Sequence, residues 1–146
     1  MMRALHVPFM IGALAVASSA AAQTAGTFAA ALDGQWDFGK PGICEQRFRA
    51  ELAKWPADSD EAQEVRPQLA RALGLHRRFD DAHAQLDTVE AKLATLPTHV
   101  RVRYLLERGR ALNSSGSPQR AVPLFADALN LAERDKDEYY AVDAAH

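Results

Sequence analysis

Side chains able to do chemistry are widely separated along this chain. The histidines that could bind a metal or move a proton are His76, His83, His99 and His146, and the only cysteine is Cys44. A zinc site on one helix needs histidines at the spacing of His-Glu-x-x-His, and a thiolate pair commonly needs Cys-x-x-Cys. Neither pattern occurs, and no glycine-rich phosphate loop is present. The sequence therefore predicts no metal site, no cofactor and no catalytic activity.

Neighbouring acidic residues are the other candidates for catalysis. Asp58 and Asp60 form one pair, and Asp80 and Asp81 form another. Both pairs lie where helices are predicted to begin, and an acidic side chain there interacts favourably with the positive end of the helix dipole. Helix capping therefore explains these carboxylates better than paired catalytic carboxylates do.

Composition indicates one globular domain rather than a disordered chain. The 146 residues are 48% hydrophobic and 25% charged, with a formal net charge of −2. This mild negative charge argues against a nucleic-acid partner, because phosphate binding depends on clustered lysine and arginine. A single cysteine excludes an internal disulfide. The apolar pattern around Cys44 predicts a buried structural thiol, and the alternative is a disulfide with another chain.

Residues 1–22 have the order of a secretory signal peptide. A basic start, "MMRALH", precedes a short apolar run, "VPFMIGALAVA", and then small residues up to Ala22. Cleavage after Ala22 leaves a mature chain from Gln23, and the loss of Arg3 changes the formal net charge from −2 to −3. The alternative, a membrane anchor, needs roughly 20 apolar residues. We therefore predict an exported protein, periplasmic or secreted, with no membrane insertion after cleavage.

Beyond this leader, residues 23–43 are predicted to be a linker, in which Trp36 and Phe38 pack onto the first helix. Helical periodicity then recurs in five segments. Their repeating apolar residues are Cys44, Phe48, Leu52 and Trp55; Val65, Leu69 and Leu73; Phe79, Ala82, Leu86, Val89 and Leu93; Val102, Leu105, Leu106 and Leu112; and Ala121, Leu124, Phe125, Ala128 and Leu129. Pro67 predicts either a kink in the second segment or a helix that begins near Arg66. No segment alternates like a strand, so the chain is predicted to be all-α, folded as consecutive antiparallel hairpins.

Two of these hairpins share a pattern. The stretch "RALGLHRRFDDAHAQLDTV" begins at Arg71, and "RALNSSGSPQRAVPLFADA" begins thirty-nine residues later at Arg110. A glycine inside a helix costs about 1 kcal/mol relative to alanine, and close approach of a partner helix would explain Gly109. Ala70 has the equivalent position in the first copy. Phe125 is expected to fill the space between successive hairpins.

These features resemble the tetratricopeptide repeat, a helix–turn–helix unit of about 34 residues with small and aromatic signature positions. The matching positions are Leu69, Ala70, Leu73, Phe79, Ala82, Leu86 and Val89 in the first copy, and Leu105, Gly109, Leu112, Gly116, Ala121, Phe125 and Ala128 in the second. The stretches "WDFGKPGICEQRFRAEL", "LLERGRALNSSG" and "YYAVDAAH" also look like uncharacterised bacterial proteins of this family. The resemblance implies an α-solenoid over residues 44–146, with repeats at about 61–96 and 99–134 and an incomplete third repeat from residue 138.

Three features depart from that family pattern. The copies are thirty-nine residues apart, which indicates a longer connector around Pro97. Arg108 stands where the family usually has leucine, and Pro118 replaces an aromatic residue. A generic packed helical bundle is therefore the alternative fold.

The resemblance also implies a binding surface, because the first helix of each repeat lines the concave groove in this family. The groove positions here are Arg71, Arg103, Arg110 and Asn113. Guanidinium groups pair with carboxylates through two parallel hydrogen bonds, so this lining would suit an acidic peptide or a free terminal carboxylate. The alternative is that Glu107 pairs with these arginines at helical spacing, on an ordinary solvated face.

We accordingly expect an exported helical-repeat scaffold that binds a protein or peptide in the cell envelope without catalysis. The alternative is a structural fragment or assembly subunit, whose unfinished third repeat is completed by another chain or a longer protein. Self-association would then involve the C-terminal edge, where Tyr139, Tyr140 and Val142 are expected to be poorly covered. A third possibility is an accessory domain of an enzyme.

Overall fold

The computed structural model describes residues 26–136 and 138–145, without the side chains of residues 138–140. All regular structure in this part of the chain is helical, which confirms the all-α prediction. The elements are α1 (26–33), α2 (Pro41–Leu52), α3 (Asp60–Leu75), α4 (Phe79–Glu90), a short 3₁₀ helix (Leu93–Thr95), α5 (Thr98–Ser114), α6 (Pro118–Arg134) and α7 (Glu138–Ala145). The predicted leader, residues 1–22, lies outside the described residues.

The chain divides into two units between Asp33 and Gly34, with α1 in the first and α2–α7 in the second. Residues 26–33 form a helix within the segment that the sequence predicts to be a linker. This stretch includes the run Ala29 to Ala31, and alanine has the highest intrinsic helix propensity. Only Phe28 and Leu32 in this stretch are large apolar residues at helical spacing, a series too short to predict a helix.

Trp36 and Phe38 precede α2, which has Pro41 at its first position, where proline is well tolerated. The Trp36 ring lies 5.1 Å from the buried Phe48 ring of α2, so the expected packing of Trp36 on this helix is confirmed. Phe38 stacks on Trp36 at 5.0 Å and is itself 61% exposed. Trp55 was predicted on the same helical face but lies beyond the end of α2.

α3 begins at Asp60 because Ser59 caps it, its side chain accepting a hydrogen bond from the Ala62 amide at 3.2 Å. The helix continues through Pro67, so a start near Arg66 is wrong. Proline there leaves the carbonyl of Gln63 without its helical donor. Burial of most of the helix around Pro67 outweighs that local cost.

Two hairpins close with the same turn. α3 and α4 are joined by residues 76–78, and α5 and α6 by residues 115–117. In each turn one residue has a left-handed backbone, Arg77 at φ 60° and Gly116 at φ 92°. The next amide bonds back into the helix, from Arg78 N to Leu73 O at 3.0 Å in the first turn and from Ser117 N to Leu112 O at 2.8 Å in the second. Equivalent atoms of the two turns are therefore thirty-nine residues apart, like the two copies in the sequence.

Each hairpin packs against its neighbours in the second unit. α3 contacts α2, α4 and α5, while α5 contacts α4, α6 and α7. Residues 91–97, which include the 3₁₀ helix, form the longer connector between the hairpins. Ala141 and Ala144 of α7 pack on the core formed by Val102, Leu106, Ala128 and Ala132. Val142 is 59% exposed, whereas the side chains of Tyr139 and Tyr140 lie outside the described residues. Among the described helices, none has both the length and the apolar character that a membrane crossing requires.

Gly109 is a point of close approach in the second hairpin. A Cβ atom built on Gly109 would lie 2.6 Å from Cε1 of Phe125, which belongs to α6. The Phe125 ring thus occupies the volume of the missing side chain inside its own hairpin. The expectation of close helix approach is confirmed, and Phe125 is the residue that uses it.

We predict that Gly109→Ala destabilises the fold by about 1–3 kcal/mol, because overpacking forces the Phe125 ring to move. This loss outweighs the roughly 1 kcal/mol that alanine gains in helix propensity. Urea unfolding followed by circular dichroism would measure it. Gly74→Ala is the matched control. A Cβ atom at Gly74 would meet nothing within 4 Å, so this substitution should stabilise the protein. Equal stabilisation by the two substitutions would contradict the steric explanation.

Candidate functional site

A buried carboxylate, Glu107, lies in the middle of α5 where that helix faces α3. Its residue exposure is 2%. Arg110, one turn further along α5, donates from Nη1 to Glu107 Oε1 at 2.6 Å. Arg71 of α3 places its Nη1 3.7 Å from the same oxygen. The carboxylate therefore links α3 and α5, because an arginine from each helix contacts it.

The two arginines keep part of their surface in solvent, with side-chain exposures of 25% for Arg71 and 29% for Arg110. The guanidinium carbon of Arg71 lies 5.4 Å from the ring centroid of Trp36, within the range of a cation–π interaction. Arg110 donates from Nη2 to Asp143 Oδ1 of α7 at 2.6 Å. Each guanidinium is held by a second contact, so both are fixed in orientation.

The other two predicted groove residues differ from this pair. Arg103 is buried, at 5% exposure, and its charge acts on Glu107 from within the helical packing. Asn113 is exposed near the end of α5. The structure thus brings Arg71 and Arg110 together at Glu107, whereas Arg103 is buried. The alternative interpretation expected Glu107 to pair with these arginines on a solvated face. Glu107 does pair with arginine, but it is buried.

A cavity of about 160 Å³ opens beside Glu107. Arg71 and Arg110 line it together with apolar groups from α3, α4 and α5, including Leu75, Phe79 and Ala111. Arg103 and Asn113 do not line it. An apolar pocket with a few convergent polar groups is the usual form of a small ligand site.

Burial raises the pKa of Glu107 above its ordinary value, because desolvation penalises the charged carboxylate. The charges of Arg110, Arg71 and Arg103 oppose that rise. Both arginine contacts reach Oε1, and Oε2 is buried without a hydrogen-bond partner. A buried acceptor left unpaired costs about 1–3 kcal/mol, so this oxygen needs an explanation.

A second polar cluster, around Arg108, lies where α4 meets α5. Its guanidinium reaches Asp87 at 2.5 Å and Glu90 at 3.2 Å, and stacks 5.5 Å from the Tyr104 ring. His83 Nδ1 lies 2.8 Å from Arg108 Nη1, and burial together with that positive charge lowers the pKa of His83. In the sequence, Arg108 stands out only as a departure from a leucine position. Its acidic and histidine partners lie on α4, eighteen to twenty-five residues away, and spacing within one helix does not reveal them.

Among the described residues, no three histidine, cysteine or acidic side chains come together as metal ligands. Comparisons of the chain with protein-family models, with curated proteins and with solved structures found no match. The geometry of the α3 and α5 surface is therefore the basis for a functional proposal.

We predict that Glu107 makes the fold less stable as the pH rises. Its raised pKa means that the folded state holds the proton more tightly than the unfolded state does. The folded state therefore loses stability as the pH increases from the ordinary glutamate value, about 4, toward the raised one. Chemical unfolding of the wild type and of Glu107→Gln at several pH values should show the wild type losing stability relative to the variant over that interval.

Glu133→Gln, at an exposed glutamate of α6, controls for the loss of a surface acid. A wild type that gains stability over Glu107→Gln as the pH rises would contradict the effect of burial.

Proposed function

We propose that this chain is an exported helical-repeat scaffold of the tetratricopeptide type, which binds a protein or peptide and has no catalytic activity of its own. The two hairpin turns, equivalent at a spacing of thirty-nine residues, support the repeat. The packing of α3 directly on α5 supports a shared surface made by the first helix of each repeat. The observation that carries a binding role is the open cavity between Arg71 and Arg110.

The charges at this surface favour an acidic partner. The guanidinium groups of Arg71, Arg103 and Arg110 lie close to two carboxylates, those of Glu107 and Asp143. Arg71 and Arg110 share the single oxygen Oε1 of Glu107. Because Arg71 and Arg110 are partly exposed, a carboxylate of a bound peptide can reach them at the mouth of the cavity.

We predict that peptides selected against the full chain from a random displayed library are acidic and bind on this surface. Replacing Arg71 and Arg110 by glutamine should weaken their binding at least about tenfold, equivalent to about 1.4 kcal/mol. Neutral glutamine is preferable to glutamate here, because a second carboxylate beside the buried Glu107 would destabilise the fold. Isothermal titration calorimetry would measure the affinities.

Arg134→Gln, at an exposed position on α6, is the matched control and should leave binding unchanged. Circular dichroism establishes that each variant is folded. Peptides that bind the double variant as tightly as the wild type would exclude this surface as the binding site.

Export is the second part of the proposal, and its support is the order of charge, apolar run and small residues in 1–22. Expressing the full chain in a bacterial host should give a mature protein whose N-terminus, measured by mass spectrometry, is Gln23. Ala22→Asp should block that cleavage, since a charged residue replaces a small one at the cleavage site. Recovery of the wild-type chain with its N-terminal segment intact would contradict export by this signal.

A further inference from the structure

Three pairs of residues, whose members are thirty-nine positions apart, compare the surroundings of α3 with those of α5. They are Trp36 and Leu75, Gln68 and Glu107, and Arg71 and Arg110. The first members of these pairs form a closed group. Trp36 Nε1 donates to Oε1 of the buried Gln68 at 2.7 Å, and its ring lies 5.4 Å from the Arg71 guanidinium carbon. An indole thus satisfies the buried acceptor and covers the arginine beside it.

The second members of these pairs form the same group without the indole. Glu107 replaces Gln68, and its Oε2 is buried without a hydrogen-bond partner. Arg110 replaces Arg71. Leu75 replaces Trp36 and is 50% exposed, and its side chain has no N–H to donate. The cavity of about 160 Å³ lies among these three side chains.

We propose that this cavity binds an indole group, whose N–H donates to Glu107 Oε2 and whose ring lies over the Arg110 guanidinium. The proposal rests on the proposed function, and it identifies the group as a tryptophan side chain of the bound peptide. It adds a specific side chain to the general preference for acidic sequences. The internal precedent is Trp36, which makes the equivalent contacts with Gln68 and Arg71.

The size and chemistry of the cavity agree with this ligand. An engineered cavity of about 150 Å³ in another protein holds benzene, so a cavity of about 160 Å³ accommodates one aromatic ring. The second ring of the indole would lie at the mouth of the cavity, beside the half-exposed Leu75. Phe79 and Ala111 supply apolar walls. A neutral donor leaves the arginine contacts at Glu107 Oε1 intact. A carboxylate in the same place would instead be repelled by Oε2.

The first test uses N-acetyl-L-tryptophanamide as the probe, titrated into the full chain. Methyl resonances of Leu75 and Ala111 would be followed by NMR. We expect both to shift, with binding at least about tenfold weaker for the 1-methylindole analogue, which lacks the donor but retains the ring. N-acetyl-L-phenylalaninamide should also bind more weakly. Equal affinity for the methylated and unmethylated probes, or no shift at either residue, would overturn the proposal.

A second test supplies the indole from within the chain. Leu75→Trp places an indole at the position equivalent to Trp36, so it should abolish probe binding and raise the melting temperature. Leu75 is half-exposed, so the substitution is expected to leave the fold intact. Val122→Trp, at a residue of α6 that is 65% exposed, is the matched control and should bind the probe normally. Undiminished probe binding by Leu75→Trp would count against the cavity as the site.

The two proposals fail in different ways. Selected peptides that depend on Arg71 and Arg110 but lack tryptophan would overturn the indole site and leave the peptide-binding function standing. A tryptophan probe that binds at Leu75 and Ala111, together with a library that yields no binding peptide, would support the indole site and overturn the peptide-binding function.

Discussion

The packing of α5 on α3 has to accommodate a carboxylate that has almost no contact with water, that of Glu107. Removing an ion from water costs several kcal/mol in a real protein, and only close charge partners and hydrogen bonds offset that cost. Glu107 receives Arg110 from its own helix and Arg71 from α3, so the ion cluster forms only when the two hairpins are side by side. Loss of either arginine would leave a buried charge with fewer partners. The same cluster forms one wall of the cavity, so the stability of the contact between α3 and α5 is linked to the shape of that cavity.

Much of the helical framework could be predicted from the sequence, because apolar residues at helical spacing mark the faces that become buried. Leu69 and Leu73 on α3, and Leu86 and Val89 on α4, are all fully buried. Helix limits were harder to predict where long-range effects compete with local ones. α3 passes through Pro67 because its burial and the Ser59 cap outweigh one lost hydrogen bond. The apolar face of α1 has only two large residues, Phe28 and Leu32, so periodicity gives a weak signal there.

The candidate site was only partly predictable. Alignment of the two copies brought Arg71 and Arg110 to equivalent positions, and the structure places both beside Glu107. Nothing local distinguishes Glu107 from a solvated glutamate, since its burial results from the packing of separate helices. The exchange of Trp36 for Leu75 is visible in the sequence once the spacing is known. Its meaning depends on two features of the folded structure, the hydrogen bond from Trp36 to Gln68 and the unpaired oxygen of Glu107.

Cys44 has a consequence for the chemistry of the folded chain. Its side chain is fully buried in α2, accepts a hydrogen bond from the Asp37 amide at 3.1 Å, and lies 3.3 Å from the Asp37 carbonyl. Thiol–disulfide exchange and alkylation both require an accessible thiolate. The native protein is therefore protected against covalent dimers in an oxidising compartment, whereas an opened chain is not. The rate at which Cys44 reacts with a thiol reagent is consequently a direct measure of how often the segment around α2 separates from the core.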